Sequence, residues 1–136
     1  MHSIFHLAFN VTNLQQACDF YTNVLGCKQG RRAETWVDYN FFGHQLSLHI
    51  GAPFVAKSTG LVDGIKVPMP HFGAVLALPD WLILADQLRS KELNFVIEPC
   101  QRFAGQAGEQ HTMFFLDPFG NPIELKGFSD LNKVFD

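Results

Sequence analysis

The predicted elements occur twice in the same order along the chain, and this repeat constrains the fold more than any other feature. In the first half, alternation over residues 5–11 predicts a strand, and the segment "TNLQQACDFYTNVLG" that follows has apolar residues at helical spacing. Thr12 and Gln15 predict a capping box at the start of this helix, and Gly26 predicts its end. Two further strands, "WVDYNFF" and "HQLSLHI", are predicted to meet at Gly43.

The second half repeats this order. His71–Leu78 alternates like a strand, and Pro79 and Asp80 open a predicted helix, "WLILADQLRSKEL". Three strands are predicted after it: "NFVIEP", "HTMFFL" and "PIELKGF". A half of about 65 residues buries too little apolar surface to be robust alone. We therefore predict an α+β fold in which the halves pack or pair into one curved sheet with helices outside.

The chain has 136 residues, a length that suits one compact domain. We expect a single domain over 1–136, with module one at 1–51, a connector at 52–69 and module two at 70–136. The connector is long for a plain loop, so we expect it to cross over the protein or to cover a site. In "DPFGN", which starts at Asp117, the Asp-Pro and Gly-Asn pairs predict a turn before the last strand.

Composition excludes several classes of protein. Hydrophobic residues make up 47% of the chain and Phe occurs 14 times, which is enough for a core and argues against disorder. A net charge of -3 without a basic cluster argues against a nucleic-acid partner. No apolar stretch approaches the roughly 20 residues that span a bilayer, and no signal-peptide pattern is present. The scattered cysteines, Cys18, Cys27 and Cys100, predict reduced thiols, and we expect a cytoplasmic protein without a membrane partner.

Strand alternation separates a large apolar face from a face with small and polar residues. His6 and His71 each begin the small-residue face of the first strand of their half, and Glu124 lies on the corresponding face of the last strand. If the sheet curls, this face lines a cavity. Two His and one carboxylate from different strands can form a facial metal triad with open positions for substrate or dioxygen. The alternative is that these residues are solvated, with Glu124 paired to Lys126 on one strand face.

The order of the elements, together with "FHLAFNVTNLQQACDFYTNVLGC", "PHFGAVLAL" and "FFLDPFGNPIELKGF", resembles the vicinal oxygen chelate superfamily. This group comprises glyoxalase I, bleomycin-resistance proteins and type I extradiol dioxygenases. The resemblance covers essentially the whole chain, and its most specific parts are "FYTNVLGC" and "DPFGNPIEL". It implies two βαβββ modules that form a cupped mixed sheet around a divalent metal, with ligands at positions that are here His6, His71 and Glu124. We expect Fe(II), with Mn, Ni, Co or Zn as alternatives, and a homodimer.

One departure from the glyoxalase I branch favours a different chemistry. Glyoxalase I enzymes resemble one another in a carboxylate on the last strand of the first module, whereas "GHQLSLHIG" contains neither Asp nor Glu, and Ser47 lies nearest that position. Without a carboxylate as the fourth ligand, the set of His6, His71 and Glu124 resembles the metal triad of extradiol dioxygenases. His49, on the face of Ser47, is a candidate fourth ligand or catalytic acid–base group, and His111 is a second catalytic candidate.

Aromatic and charged residues suggest a substrate site. An apolar wall around the cup, suited to a ring-shaped substrate, is predicted from "WVDYNFF" and "HTMFFL". Its candidate members are Trp36, Tyr39, Phe41, Met113 and Phe115. Arg102 could bind a substrate carboxylate. The alternatives are that the aromatic residues belong to the plain core and that Arg102 lies in a solvated loop.

Together with these residues, the resemblance implies a metal-dependent protein that binds two adjacent oxygens of a small molecule. We favour ring cleavage with dioxygen. A glyoxalase I-like isomerase or lyase is the alternative within the enzymes, and a non-catalytic drug- or metabolite-binding protein is the alternative outside them, so whether the protein is an enzyme is left open.

Overall fold

The computed structural model describes residues 1–62 and 64–136, without the side chains of residues 58–60, and the chain divides into two compact units. Unit 1 comprises Met1–Phe54 and Pro118–Gly120. Unit 2 comprises Val55–Asp117 and Asn121–Asp136.

Unit 1 contains a four-stranded mixed sheet. Its strands are β1 (His6–Val11), β2 (Lys28–Arg32), β3 (Trp36–Phe41) and β4 (His44–Ile50). The spatial order is β1-β4-β3-β2, with β1 parallel to β4 and the other pairs antiparallel. The sequence did not predict β2, because "KQGRR" is exposed throughout and lacks apolar alternation. Its place in the sheet depends on backbone pairing with β3.

Helix α1 (Leu14–Cys18) follows β1 and continues as a π-helical segment, Asp19–Val24. Its N-cap is Asn13, whose side-chain oxygen accepts a hydrogen bond of 2.8 Å from the backbone nitrogen of Gln16. The predicted capping box at Thr12 is therefore wrong by one residue. The end predicted at Gly26 is confirmed, since this glycine adopts the left-handed φ of +75° that side chains disfavour. The buried residues fall at the predicted helical spacing and include Leu14, Ala17, Cys18, Tyr21 and Leu25.

Unit 2 repeats this topology and adds a hairpin. Its strands are β5 (Lys57–Val62), β6 (Ile65–Met69), β7 (Phe72–Ala77), β8 (Asn94–Arg102), β9 (Gln110–Leu116) and β10 (Pro122–Phe128). Helix α2 (Leu78–Arg89) follows β7, and a short 3-10 helix, Leu131–Lys133, lies near the C-terminus. The main sheet has the order β7-β10-β9-β8, with β7 parallel to β10. The predicted pair of βαβββ modules is therefore confirmed, with the same strand order in each unit.

The connector is not a plain loop, because β5 and β6 form an antiparallel hairpin in unit 2. Val67 of the hairpin packs with Ile97 and Phe114 in a buried cluster, with Ile65 against it. The connector thus covers the face of the β7–β10 sheet to which Phe114 belongs.

The predicted turn before β10 is confirmed. Both carboxylate oxygens of Asp117 accept hydrogen bonds of 2.8 Å from Asn121, one from its backbone nitrogen and one from its side-chain nitrogen. Gly120 supplies the left-handed φ of +82°. This closed turn sets the start of β10 at Pro122.

The opposite sheet face in unit 2 is apolar and packs under helix α2. Ile123 and Leu125 pair in register with Phe115 and Met113, and all four side chains are fully buried. The indole nitrogen of Trp81 on α2 donates a 2.9 Å hydrogen bond to the carbonyl of Leu125. The predicted division into an apolar and a polar face is thus present in unit 2.

The three cysteines are free thiols, as predicted. Within the described part of the chain, the helices are all too short or too polar to cross a membrane.

Candidate functional site

The polar face of unit 2 brings two of the three predicted metal ligands together. His71 immediately precedes β7, and Glu124 lies on β10, opposite Gly73 of the parallel strand. Nε2 of His71 is 3.5 Å from Oε1 of Glu124. The side chains are 22% and 12% exposed, so the pair is sheltered but reachable from solvent.

The close approach of β7 and β10 depends on Gly73. A Cβ at this position would lie 1.5 Å from the backbone oxygen of Glu124. A side chain there would force the strands apart, which gives a physical reason for a glycine on the small-residue face.

Hydrogen bonds orient both members of the pair. Nδ1 of His71 lies 2.8 Å from the carbonyl oxygen of Pro68. Since a carbonyl accepts only, Nδ1 carries the proton, and Nε2 is the ring nitrogen that faces Glu124. Thr112 donates a 2.8 Å hydrogen bond from Oγ1 to Oε2 of Glu124, which turns Oε1 toward His71. The ring of Phe114 packs edge-on against His71, with centroids 4.8 Å apart.

The spacing of these two atoms suits a shared divalent metal ion. A separation of 3.5 Å is too long for an ordinary N–H···O hydrogen bond. Two ligands that are each about 2.1 Å from one metal ion, at angles of roughly 90–110°, lie about 3.0–3.5 Å apart. The nearby ammonium of Lys126 is 3.9 Å from Oε1, also beyond hydrogen-bonding distance. Over residues 1–62 and 64–136, no group of three or more His, Cys, Asp or Glu side chains is arranged to hold a metal. His71 and Glu124 therefore form an incomplete set.

His6, the third predicted ligand, lies in unit 1. It is exposed at the start of β1 and pairs in register with Gln45 of β4, so it belongs to the face of Ser47. Its approach to His71 and Glu124 stays a prediction.

His49 lies on the polar face of unit 1, as alternation predicts. It is exposed and pairs across the strands with Trp36, whose ring stacks on the imidazole at a centroid distance of 6.4 Å. Trp36 thus shares this face, and the role of the two residues stays a prediction.

This face also contains a carboxylate that the sequence did not predict as a site residue. Asp38 of β3 lies directly opposite Ser47 and accepts a hydrogen bond of 2.5 Å from its hydroxyl. β4 itself lacks Asp and Glu, and its neighbour β3 places this carboxylate across from Ser47. The alternation of Asp38 with Val37 and Tyr39 in "WVDYNFF" was the signal that could have revealed it.

His111 lies on the strand beside Glu124 but on the other sheet face. It pairs with Gly127, and its ring packs against Trp81 of α2 at a centroid distance of 5.3 Å. This position under the helix does not favour the predicted acid–base role.

The predicted aromatic wall mixes residues from both faces. Met113 and Phe115 are fully buried on the side of α2, whereas Phe114 contacts His71. This is a correction to the predicted face of β9, because the neighbours of Glu124 are the even-numbered residues of that strand.

Tyr39 likewise lies in the core of unit 1. Its hydroxyl is 2.8 Å from the hydroxyl of Thr22, and its ring is 5.7 Å from that of Tyr21. Burial is the main cause that raises the pKa of Tyr39 above its ordinary value. The side chain therefore remains a neutral phenol near neutral pH.

Arg102 has contacts within the fold. Its guanidinium donates to the carbonyl of Val62 on the connector hairpin and lies 5.2 Å from the ring centroid of Phe103. Arg102 is buried, so this placement favours a role in fixing the hairpin over the predicted binding of a substrate carboxylate.

Two units of βαβββ topology, one of them with an oriented His–Glu pair, define a small protein of the vicinal oxygen chelate type. The model of the Glyoxalase/Bleomycin resistance protein/Dioxygenase superfamily matches residues 3–125, and the chain belongs to this superfamily.

Solved structures agree with this assignment. A glyoxalase/bleomycin resistance protein/dioxygenase from Alicyclobacillus acidocaldarius is 28% identical, with a TM-score of 0.81 over 99% of this chain and 97% of that one. The fosfomycin resistance protein FosX from Listeria monocytogenes is 11% identical, with a TM-score of 0.71 over 99% of both chains. TioX from Micromonospora sp. ML1 is 14% identical, with a TM-score of 0.67 over 93% of this chain and 98% of that one. The last two similarities show the fold alone. Among curated proteins there is no match.

Proposed function

We propose that this protein is a divalent-metal-dependent enzyme that acts on a small molecule with two adjacent oxygen atoms. The ligands would be His71, Glu124 and His6, which suit Fe(II) and, as alternatives, Mn, Ni, Co or Zn. The observation that carries the proposal is the 3.5 Å separation between Nε2 of His71 and Oε1 of Glu124, with both side chains already oriented by other hydrogen bonds.

The residues around His71 and Glu124 would keep both side chains oriented for metal binding. The Pro68 carbonyl holds the imidazole in the tautomer that leaves Nε2 free to bind, and Thr112 fixes the carboxylate. Phe114 covers one side of His71 and lowers the local exposure to water. When bound, the metal supplies Lewis acidity toward the two substrate oxygens, and Fe(II) also supplies redox activity. For proton transfer we propose His49, which shares the polar face of unit 1 with His6.

Within this chemistry we favour ring cleavage with dioxygen over glyoxalase-type isomerisation. Two His and one carboxylate are the ligands of non-haem Fe(II) oxygenases. The strand β4, where glyoxalase I enzymes resemble one another in a carboxylate, contains none here.

The metal decides between these reactions. Chelated protein loaded anaerobically with Fe(II) should consume oxygen when air is admitted and should give a yellow ring-opened product from at least one catechol in a panel. Zn(II)- or Ni(II)-loaded protein should be inert, because dioxygen activation needs a redox-active metal. Conversion of a thiol–oxoaldehyde adduct by the Ni(II), Co(II) or Zn(II) form, without oxygen consumption by the Fe(II) form, would overturn the dioxygenase proposal in favour of an isomerase.

A non-catalytic binding protein is the second candidate, and a cleft in unit 1 favours it. This cleft, described below, is lined by residues other than His71 and Glu124. FosX, a protein of the same fold, is a fosfomycin resistance protein. If chelated protein binds a small molecule as tightly as metal-loaded protein and converts nothing, this candidate replaces the enzyme.

We also propose a cytoplasmic homodimer. Light scattering during gel filtration should give twice the chain mass of 15.3 kDa. A mass of one chain would contradict the dimer.

A further inference from the structure

A cleft of about 510 Å³ opens on the polar face of unit 1. All of its lining residues belong to this unit and come from the segment before β1, from β2 and β3, and from the turn and start of β4. They include Ile4, Gly30, Arg31, Asp38, His44 and Gln45. No part of the inference drawn from this cleft depends on the metal ligands of unit 2.

The buried charge in the cleft is Asp38, which is 8% exposed. Its Oδ1 accepts the 2.5 Å hydrogen bond from Ser47. Its Oδ2 has longer contacts, 3.5 Å to the side-chain nitrogen of Gln45 and 3.6 Å to a guanidinium nitrogen of Arg31. Because a carboxylate has about four acceptor positions, Oδ2 retains the capacity to accept a strong donor.

Arg31 does not form a tight ion pair with this carboxylate. Its side chain is 82% exposed, so solvent screens the contact with Asp38. The same guanidinium lies 5.9 Å from the ring centroid of Trp36, a second partner that it can keep when it leaves Asp38. The contacts of Oδ2 with Gln45 and Arg31 are long, and the cleft leaves room for a closer donor beside this oxygen.

Gly30 keeps the space beside Asp38 open. A Cβ at this position would lie 3.5 Å from the Cβ of Asp38 and 3.4 Å from its backbone oxygen. The first carbon of a side chain would thus fit in van der Waals contact, and a larger side chain would extend into the cleft. The glycine therefore makes the carboxylate accessible from the cleft.

We propose that this cleft binds a small organic cation whose ammonium, amidinium or guanidinium group donates to Oδ2 of Asp38. Such a charge-assisted hydrogen bond is roughly twice as strong as a neutral one. Gln45 lies beside the same oxygen, and the side chain of Ile4 provides an apolar contact for the rest of the ligand.

The test uses two probes of the same shape and opposite charge. Titration of ¹⁵N-labelled protein with benzamidinium should shift the amide resonances of Gly30, Asp38 and Gln45, whereas benzoate should leave them in place. In Asp38→Asn the benzamidinium affinity should fall about tenfold or more, because a hydrogen bond to a charged group is lost. Asp86→Asn, which changes an exposed carboxylate on α2, should bind like the unchanged protein.

Gly30→Val provides a second variant that keeps the carboxylate and fills the space beside it. It should also lose benzamidinium binding, and its spectrum reports separately on folding, so the test remains decisive if Asp38→Asn fails to fold. Three outcomes would overturn the proposal. The first is that the unchanged protein fails to bind benzamidinium, and the second is that Asp38→Asn and Gly30→Val both bind it as tightly as the unchanged protein does. The third outcome is benzoate binding that Arg31→Gln removes. The last result would make the cleft an anion site.

Discussion

At the scale of single residues, the candidate metal site depends on hydrogen bonds to atoms outside the ligand set. The Pro68 carbonyl holds Nδ1 of His71, so that Nε2 faces Glu124. The Thr112 hydroxyl holds Oε2 of Glu124, so that Oε1 faces His71. Sequence alternation predicted that His71 and Glu124 share a face. It could not predict these partners, because the first belongs to the connector and the second depends on the pairing of β9 with β10.

Thr112→Val tests this orientation. The substitution keeps the branched shape of the side chain and removes the donor to Oε2 of Glu124. We expect the affinity for Zn(II) to fall roughly 10- to 100-fold, as is typical when an outer hydrogen bond to a ligand is lost, with the fold retained. Competition titration with a chelating dye measures the affinity. Thr22→Val, which removes a hydroxyl beside Tyr39 in unit 1, serves as the matched control, and equal affinities in the two variants would exclude the positioning role.

A second prediction at this scale concerns alkaline pH. Burial raises the pKa of the Cys27 thiol from 9.0 to about 12. Between these values the unfolded chain loses a proton that the folded protein keeps, so stability is fully present below about pH 9 and is lost as the pH rises toward about 12. The slope for one such group is about 1.4 kcal/mol per pH unit.

Urea unfolding between pH 8 and pH 11 measures this loss. Cys27→Ala should start from a lower stability, because it leaves a cavity, and should show a shallower decline than Cys100→Ala. Equal slopes in the two variants would rule out Cys27 as the source.

At the scale of elements, the strands were predicted better than the boundaries and contacts around them. The last strand, Pro122–Phe128, was predicted with its bounds, because its turn residues and alternation agree. Strand β2 was missed because pairing with β3 stabilises it without apolar residues. Met113 and Phe115 were assigned to the wrong face because composition identifies an aromatic strand, whereas only the register identifies which residues are next to Glu124.

Gly73→Ala tests the contact between β7 and β10. An added Cβ would overlap the Glu124 carbonyl oxygen, so the strands must separate. We expect a loss of about 2–4 kcal/mol in the free energy of unfolding, together with reduced metal binding. Gly30→Ala, with ordinary contacts in another strand, should change stability by only about 0.5 kcal/mol, and similar losses in both variants would contradict the steric explanation.

Asn13→Ala tests the observed helix cap. Loss of the hydrogen bond to the Gln16 nitrogen should destabilise the protein by about 1 kcal/mol in urea unfolding. Thr12→Ala should have little effect. A larger loss of stability in Thr12→Ala than in Asn13→Ala would favour the cap at Thr12 that the sequence predicts.

At the scale of the whole molecule, the repeat organises both the fold and the site. Each unit has a parallel pair of strands, β1 with β4 and β7 with β10, and each pair has small and polar residues on one face. This periodic pattern was evident in the sequence, and so were the resemblance to the superfamily and the shared face of His71 and Glu124. Asp38 was not recognised, because alternation within its own segment indicates only its face, whereas its partner Ser47 lies on the neighbouring strand.

The most direct test of the central claim is the metal content of protein purified without chelator, measured by inductively coupled plasma mass spectrometry. The claim predicts one divalent metal per chain, and a sharp loss in His6→Ala, His71→Ala and Glu124→Ala while circular dichroism stays unchanged. His111→Ala, a histidine on the opposite face of the sheet in unit 2, should keep its metal. Full metal content in all three ligand variants, or no metal in the unchanged protein even after it is supplied with Fe(II), would contradict the claim.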